Sequence, residues 1–275
     1  MTTTALPSTT GLTFTRLVQS EWVKLRSIRS TIWCFAILAA LTIGLAVLLG
    51  AFASPGPDLP QDAANGTIVS INTTSVMMTA LVVGVLGVLI ITGEYSTGQI
   101  RSTFTADPRR TGVILAKAVV LAVATFVVSA VATWIGVIAS TALQSAKGVH
   151  PELADPSVFM PILGASVYVT LLALLAYGIG LLVRSSAGGI AITLGILLVL
   201  PIVLSLMGSL LDAQWILDLL QFLPQGAGQH LYSYGYEGQP ADGSVLNGWG
   251  AFGVLAGEVL VVGALALAVA RRRDV

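Results

Sequence analysis

Six apolar runs, each 20 to 30 residues long, dominate this chain, at about 31–53, 73–92, 113–142, 159–183, 187–211 and 249–270. A hydrocarbon core of about 30 Å takes about 20 helical residues at 1.5 Å each, so every run is long enough to cross one. Inside lipid no water satisfies a backbone N–H or C=O, which leaves helices or a closed barrel. Barrel strands read as alternating segments of about ten residues. These runs are continuous, so the expected fold is an all-α polytopic membrane protein with six transmembrane helices. Composition agrees: 9% of residues are charged, where a soluble domain has about a quarter, and the mean hydropathy is +0.90.

The ends and connections refine this layout. Residues 1–11 are rich in Thr and Ser and are expected to be disordered. Residues 12–29 form an amphipathic pattern, with Phe14, Leu17, Val18, Trp22, Leu25 and Ile28 on one face and Arg16, Gln19, Ser20, Lys24 and Arg26 on the other. A basic face, an apolar face and a Trp predict a helix in the membrane interface, with Trp22, Lys24 and Arg26 as its characteristic residues. The rest, 30–275, is the six-helix domain. The first run ends in Ala51-Phe52-Ala53, which mimics a signal-peptidase site, but it is longer than a signal core of about 7–15 residues. It is expected to persist as the first span. The third run exceeds the bilayer and is expected to tilt or project. Arg184-Ser185-Ser186 predicts a tight turn between the fourth and fifth spans, and Pro201 predicts a kink in the fifth.

Lys and Arg set the orientation. Twelve of the thirteen fall in the N-terminal segment, the 93–117 connection, the 184–186 turn and the tail; Lys147 alone lies on the other side. Both termini are therefore expected in the cytoplasm of a multi-pass plasma-membrane protein. The net charge is zero, so no global field favours nucleic acid. Cys34 is a lone cysteine, which excludes an internal disulfide. No Cys/His metal spacing occurs, and neither a cofactor nor a catalytic constellation is expected.

Three segments stand out as functional candidates. The connection Thr92-Gly93-Glu94-Tyr95-Ser96-Thr97-Gly98-Gln99-Ile100-Arg101-Ser102-Thr103-Phe104-Thr105-Ala106-Asp107-Pro108-Arg109-Arg110 has room for a short helix between Gly93 and Ala106. That helix is expected to show Glu94 and Arg101 to the cytosol. A merely solvated basic loop is the alternative. Asp107 and Pro108 suit the cap and first position of the third helix. The loop at about 212–248 carries Trp215 to Leu223, apolar but too short to span, then Pro224 and a group of aromatics. Such a segment reads as re-entrant or interfacial, or as an amphipathic surface loop. Glu258 lies mid-way along the sixth run, where an ionisable group is a functional candidate, with a carboxyl packed between helices as its plain explanation.

The run G-E-Y-x-T-G-x-I-R-x-T at 93–103, followed by Pro108-Arg109-Arg110 and Lys117, resembles the permease subunit of ABC-2 type exporters. The layout of basic N-terminal helix, six spans, long last external loop and Arg-rich tail is similar over nearly the whole chain. The resemblance implies that Glu94, Tyr95, Gln99, Arg101 and Phe104 belong to a coupling helix docking into a cytoplasmic ATP-binding subunit. It implies that the N-terminal helix lies against that ATPase and that a second permease copy, or a related permease, completes the pathway. It also implies an external gate near Trp215, Phe222 and Pro224. The chain has no G-x-x-x-x-G-K-[ST] loop, so ATP hydrolysis would belong to the partner. A self-standing membrane protein, either a secondary carrier or an assembly or stress-response protein, is the competing class. It would need no ATPase.

Overall fold

The computed structural model describes residues 13–53, 59–99, 111–235 and 246–272. Among them no strand occurs, and six helical stretches are long and apolar enough to cross a membrane. The chain is an all-α polytopic membrane protein.

Helix α1 (Phe14–Ser27) is separated from α2 (Arg29–Phe52) by one extended residue, Ile28. That single residue turns the chain from the short amphipathic helix into the first span. Helices α3 (Gln61–Thr73) and α4 (Val76–Ser96) follow each other almost without a break, and together form a 36-residue stretch. At 1.5 Å per residue this is about 54 Å, so α3 projects past a bilayer that α4 alone can cross. Helix α5 (Thr111–Ser145) projects likewise. Its expected start at Asp107 and Pro108 lies outside the described residues.

Helix α6 (Pro156–Val183) is the centre of the bundle. Of its most apolar stretch 67% is buried, against 11% for the fifth span and the sixth. Its neighbour α4 comes unusually close, because Gly87 faces the backbone of Ala173 and Gly180 faces that of Val88. Without a hydrophobic force between helices in lipid, such small-residue contacts and the dispersion they permit hold the pair. Asp155 caps α6, its Oδ1 accepting from the Ser157 N–H at 2.9 Å, with Pro156 at the first position.

The turn after α6 places Arg184 in the left-handed region (φ 58°) and Ser185 as the cap of α7 (Ser186–Leu210). Pro201 removes one helix N–H, and the chain answers with a π turn over Gly195–Val199 immediately before it. The kink expected at Pro201 is thus a widened turn upstream of the proline. Two short helices follow, α8 (Gln214–Leu220) and α9 (Pro224–Tyr232), and then α10 (Gly248–Arg272).

Lys147, the one lysine or arginine at its end among the described residues, has a structural task. Its Nζ donates to the carbonyls of Gly50, Ala51 and Ala53 at 3.2, 2.5 and 2.6 Å, while Gln144 Nε2 donates to Gly50 and Ala53. An ammonium is thereby set on the negative end of α2, satisfying carbonyls that have no helical partner. Lys147→Met is expected to lower stability by about 1–2 kcal/mol, measured as a shift in detergent-unfolding midpoint.

Candidate functional site

Four charged side chains meet where α1 packs on the ends of α4 and α5. Lys24 Nζ donates to Glu21 Oε1 at 2.7 Å and to Glu94 Oε1 at 3.1 Å. Lys117 Nζ donates to Glu94 Oε1 at 2.8 Å and also to Glu21 Oε2. The result is a closed ring of alternating sign, Glu21–Lys24–Glu94–Lys117, built from three helices and neutral overall. Glu21, Glu94 and Lys117 are buried, and Lys24 is partly so.

Each member is placed by its helix. On α1 the packed face is Leu17, Val18, Glu21, Lys24 and Leu25, the i, i+3, i+4, i+7 stripe of an amphipathic helix. Glu94 is in the last turn of α4, beyond its apolar run. Lys117 is seven residues into α5, among Val113, Ile114, Val120 and Leu121, which offer it no partner within their own helix. Burial is the largest influence on Lys24 and lowers its pKa. The hydrogen bond and charge of Glu21, with those of Glu94, more than offset burial and hold the ammonium above the ordinary lysine value. Its contribution to stability is therefore fully present below that ordinary value and is lost only as pH rises through the raised one. A cavity of about 20 Å³ borders the ring between Glu21, Lys24 and Lys117, room for one water molecule. Glu94 Oε2 is buried with no hydrogen-bond partner among the described residues.

Two expectations are corrected here. Glu94 is not open to solvent: it is 5% exposed and held by two lysines, because α4 continues through Ser96 and α1 packs over its last turn. Lys24 is not on the open face of α1: the helix is rotated so that Lys24 packs, while Trp22, Arg26 and Phe14 stay exposed. Of the remaining coupling residues, Tyr95 packs against the core with the Arg184 guanidinium 5.3 Å over its ring, and Gln99 is exposed. Arg101 and Phe104 lie outside the described residues. A hydrogen bond of 2.8 Å from Ser186 Oγ to Thr92 Oγ1 adds a second tie between α4 and the 184–186 turn. Only packing brings Glu21 into the site, because its signal in the sequence is slight: the only acid of α1, three residues before a lysine.

At the other end of the bundle the expected gate residues are dispersed. Trp215 is 67% exposed and Phe222 is also exposed, whereas Pro224 is buried as the first residue of α9. Helix α8 lies on α7 because Gly208 leaves space for Leu217, and α9 sits on α6 because Gly228 meets the Tyr168 ring and Gly164 meets the Leu231 backbone. The Tyr232 ring lies tilted by 53° against that of Tyr168, centroids 5.4 Å apart, and burial pushes its phenol up to about 12. Glu258, half-buried on α10, has one buried oxygen without a hydrogen-bond partner among the described residues. The site residues thus separate into a ring at the α1 end and a helical pair, α8–α9, at the opposite end.

Among curated proteins none matches the chain. The profile of the ABC-2 family transporter proteins matches residues 17–200, about two thirds of the sequence. The matched region contains all four ring residues and runs from α1 to the π turn of α7. With that span covered, this six-span chain belongs to the ABC-2 transporter family.

Proposed function

We propose that this chain is the membrane-spanning permease subunit of an ATP-driven exporter, coupled to a separate cytoplasmic ATP-binding subunit that hydrolyses the nucleotide. The observation that carries the reading is the ring. It locks α1 to the segment that leaves α4 and to the start of α5, so these parts move as one body. A force applied by a docked ATPase to the connection after α4 would reach the spans through Glu94 and Lys117 with little loss. In this arrangement Glu94 and Lys24 hold the docking segment in place. Gln99, Arg101 and Phe104, with Trp22 and Arg26 on the open face of α1, would touch the partner or the membrane interface.

Orientation supports the same reading. Among the described residues every lysine and arginine except Lys147 lies at the α1 end, and Lys147 is occupied as a helix cap. By the positive-inside rule that end, with both termini, is cytoplasmic. A second copy of this chain, or a related permease, would complete the pathway, and α8 with α9 would close it externally.

The test is co-purification of this chain with a cytoplasmic ATP-binding cassette subunit from the same cells. Arg101→Glu combined with Phe104→Ala is expected to reduce the recovered ATPase by about tenfold, a loss of about 1.4 kcal/mol. Val131→Leu, on an exposed face of α5, is expected to leave recovery unchanged. Export by the purified chain alone in proteoliposomes would sink the reading in favour of a self-standing carrier.

A further inference from the structure

Between α7, α9 and the first turn of α4 lies a cavity of about 540 Å³. Its volume falls within the range of about 300–1,000 Å³ typical of small-molecule sites. Pro201 and Met77 belong to an otherwise apolar lining, from which two polar pairs project: Ser205 and Ser209 from α7, Gln225 and Gln229 from α9. Each pair has i, i+4 spacing, so its members share one helix face. No lining residue is ionisable.

Ser205, Ser209 and Gln229 are exposed, and the Gln225 amide reaches only the Met77 sulfur at 3.9 Å. Ser205 lies five residues before the end of a span, where an acyl chain offers its hydroxyl no hydrogen-bond partner. A charged guest would be desolvated without a counter-ion. The walls offer apolar contact and the pairs offer donors and acceptors of neutral type. We infer that this cavity binds an uncharged amphipathic molecule, its apolar body against α7 and its hydrogen-bonding groups between the serines and glutamines. This names a substrate class for the proposed exporter and rests on that reading for transport, whereas the binding itself needs no ATPase.

The experiment uses the purified chain in phosphatidylcholine nanodiscs, with empty nanodiscs as blank, and no ATPase present. The probe is prodan, an uncharged naphthalene fluorophore with a carbonyl acceptor; anionic 1-anilinonaphthalene-8-sulfonate is its charged counterpart. Prodan is expected to give saturable, blue-shifted emission at one site per chain, while the sulfonate gives none. Ser205→Val with Gln225→Leu and Gln229→Leu is expected to weaken prodan about tenfold, as the loss of one or two neutral hydrogen bonds. A second measurement does not depend on how that variant folds. Cys34 is the only native cysteine, so Ser209→Cys in a Cys34→Ala background reports on the cavity alone, and prodan is expected to slow its reaction with N-ethylmaleimide. Equal prodan signals in loaded and empty discs, or equal saturation by the sulfonate, would overturn the inference. So would disulfide-linked dimers of the Ser209→Cys chain that prodan fails to block, since the face would then be an interface between copies. Because the ATPase is absent, failure here is distinct from failure of coupling.

Discussion

Lys117→Met is expected to destabilise the folded chain by about 3–5 kcal/mol, the cost of leaving buried charge without its partner. The variant leaves two buried carboxylates, Glu21 and Glu94, facing Lys24 alone. Adding Glu94→Gln to Lys117→Met leaves Glu21 and Lys24 as a neutral pair and is expected to recover most of that loss. The measurement is a double-mutant cycle by equilibrium unfolding in mixed micelles. Effects that simply add, or a single-variant loss below about 1 kcal/mol, would show that the ring does not act as a unit. Because three of the four groups are buried, added salt is expected to change these values little. Under the exporter reading the same variants report on coupling: Lys117→Met should also lower ATPase recovery, and the double variant should restore part of it.

Gly228→Val is expected to release α9 from the bundle without unfolding the spans. A Cβ at Gly228 would fall on the Tyr168 ring, and any retreat of α9 from α6 would give up the close contact of Gly164 with the Leu231 backbone. Overpacking of this kind costs about 1–3 kcal/mol, enough to open a nine-residue helix of which only Pro224, Ala227, Gly228 and Leu231 are buried. Amide exchange over residues 214–235 is the direct readout, with protection lost there and retained in α4 and α6. Tyr232 gives an independent one. Its phenol, held near 12 by burial, is expected to titrate closer to the ordinary tyrosine value of about 10 once α9 is free, and the change disappears in Tyr232→Phe. Pairing Gly228→Val with Tyr168→Leu frees the volume and is expected to restore protection. Under the exporter reading, the single variant should leak or stall at the external side.

The spans were legible because length and apolarity are local properties of the sequence. The charged ring was not, because its members come from three segments that hydropathy treats separately. Glu94 follows an apolar run and looks like the first solvated residue; only the packing of α1 shows that it is covered. Lys117 looked like the last residue of a basic connection, since nothing within its own helix answers its charge. Helix α3 is not legible in the sequence because Gln61 to Thr73 mixes Asn, Gly and Thr with few apolar residues. Its helix is held by tertiary bonds instead, among them Asn65 accepting from the Glu152 N–H at 2.9 Å and Gln61 donating to the His150 carbonyl at 3.1 Å. Helix α9, with Pro224, Gly226 and Gly228, reads as a loop by propensity, yet Gly228 lets it approach Tyr168 of α6 and Gly226 lets it pack against Leu220 at the end of α8.

The ring also dictates an order of biogenesis. Glu21 is synthesised 96 residues before Lys117, so α1 cannot settle until the third span has been delivered to the bilayer. Until then Lys117 belongs to a helix that enters lipid with a charge, with only Glu94 of the preceding span near enough to neutralise it. The nascent hairpin of α4 and α5 is thus the minimal insertable unit, and the returning N-terminal helix seals it. A chain in which that last closure fails leaves Lys117 with Glu94 alone and the charged end of the α4–α5 hairpin uncovered.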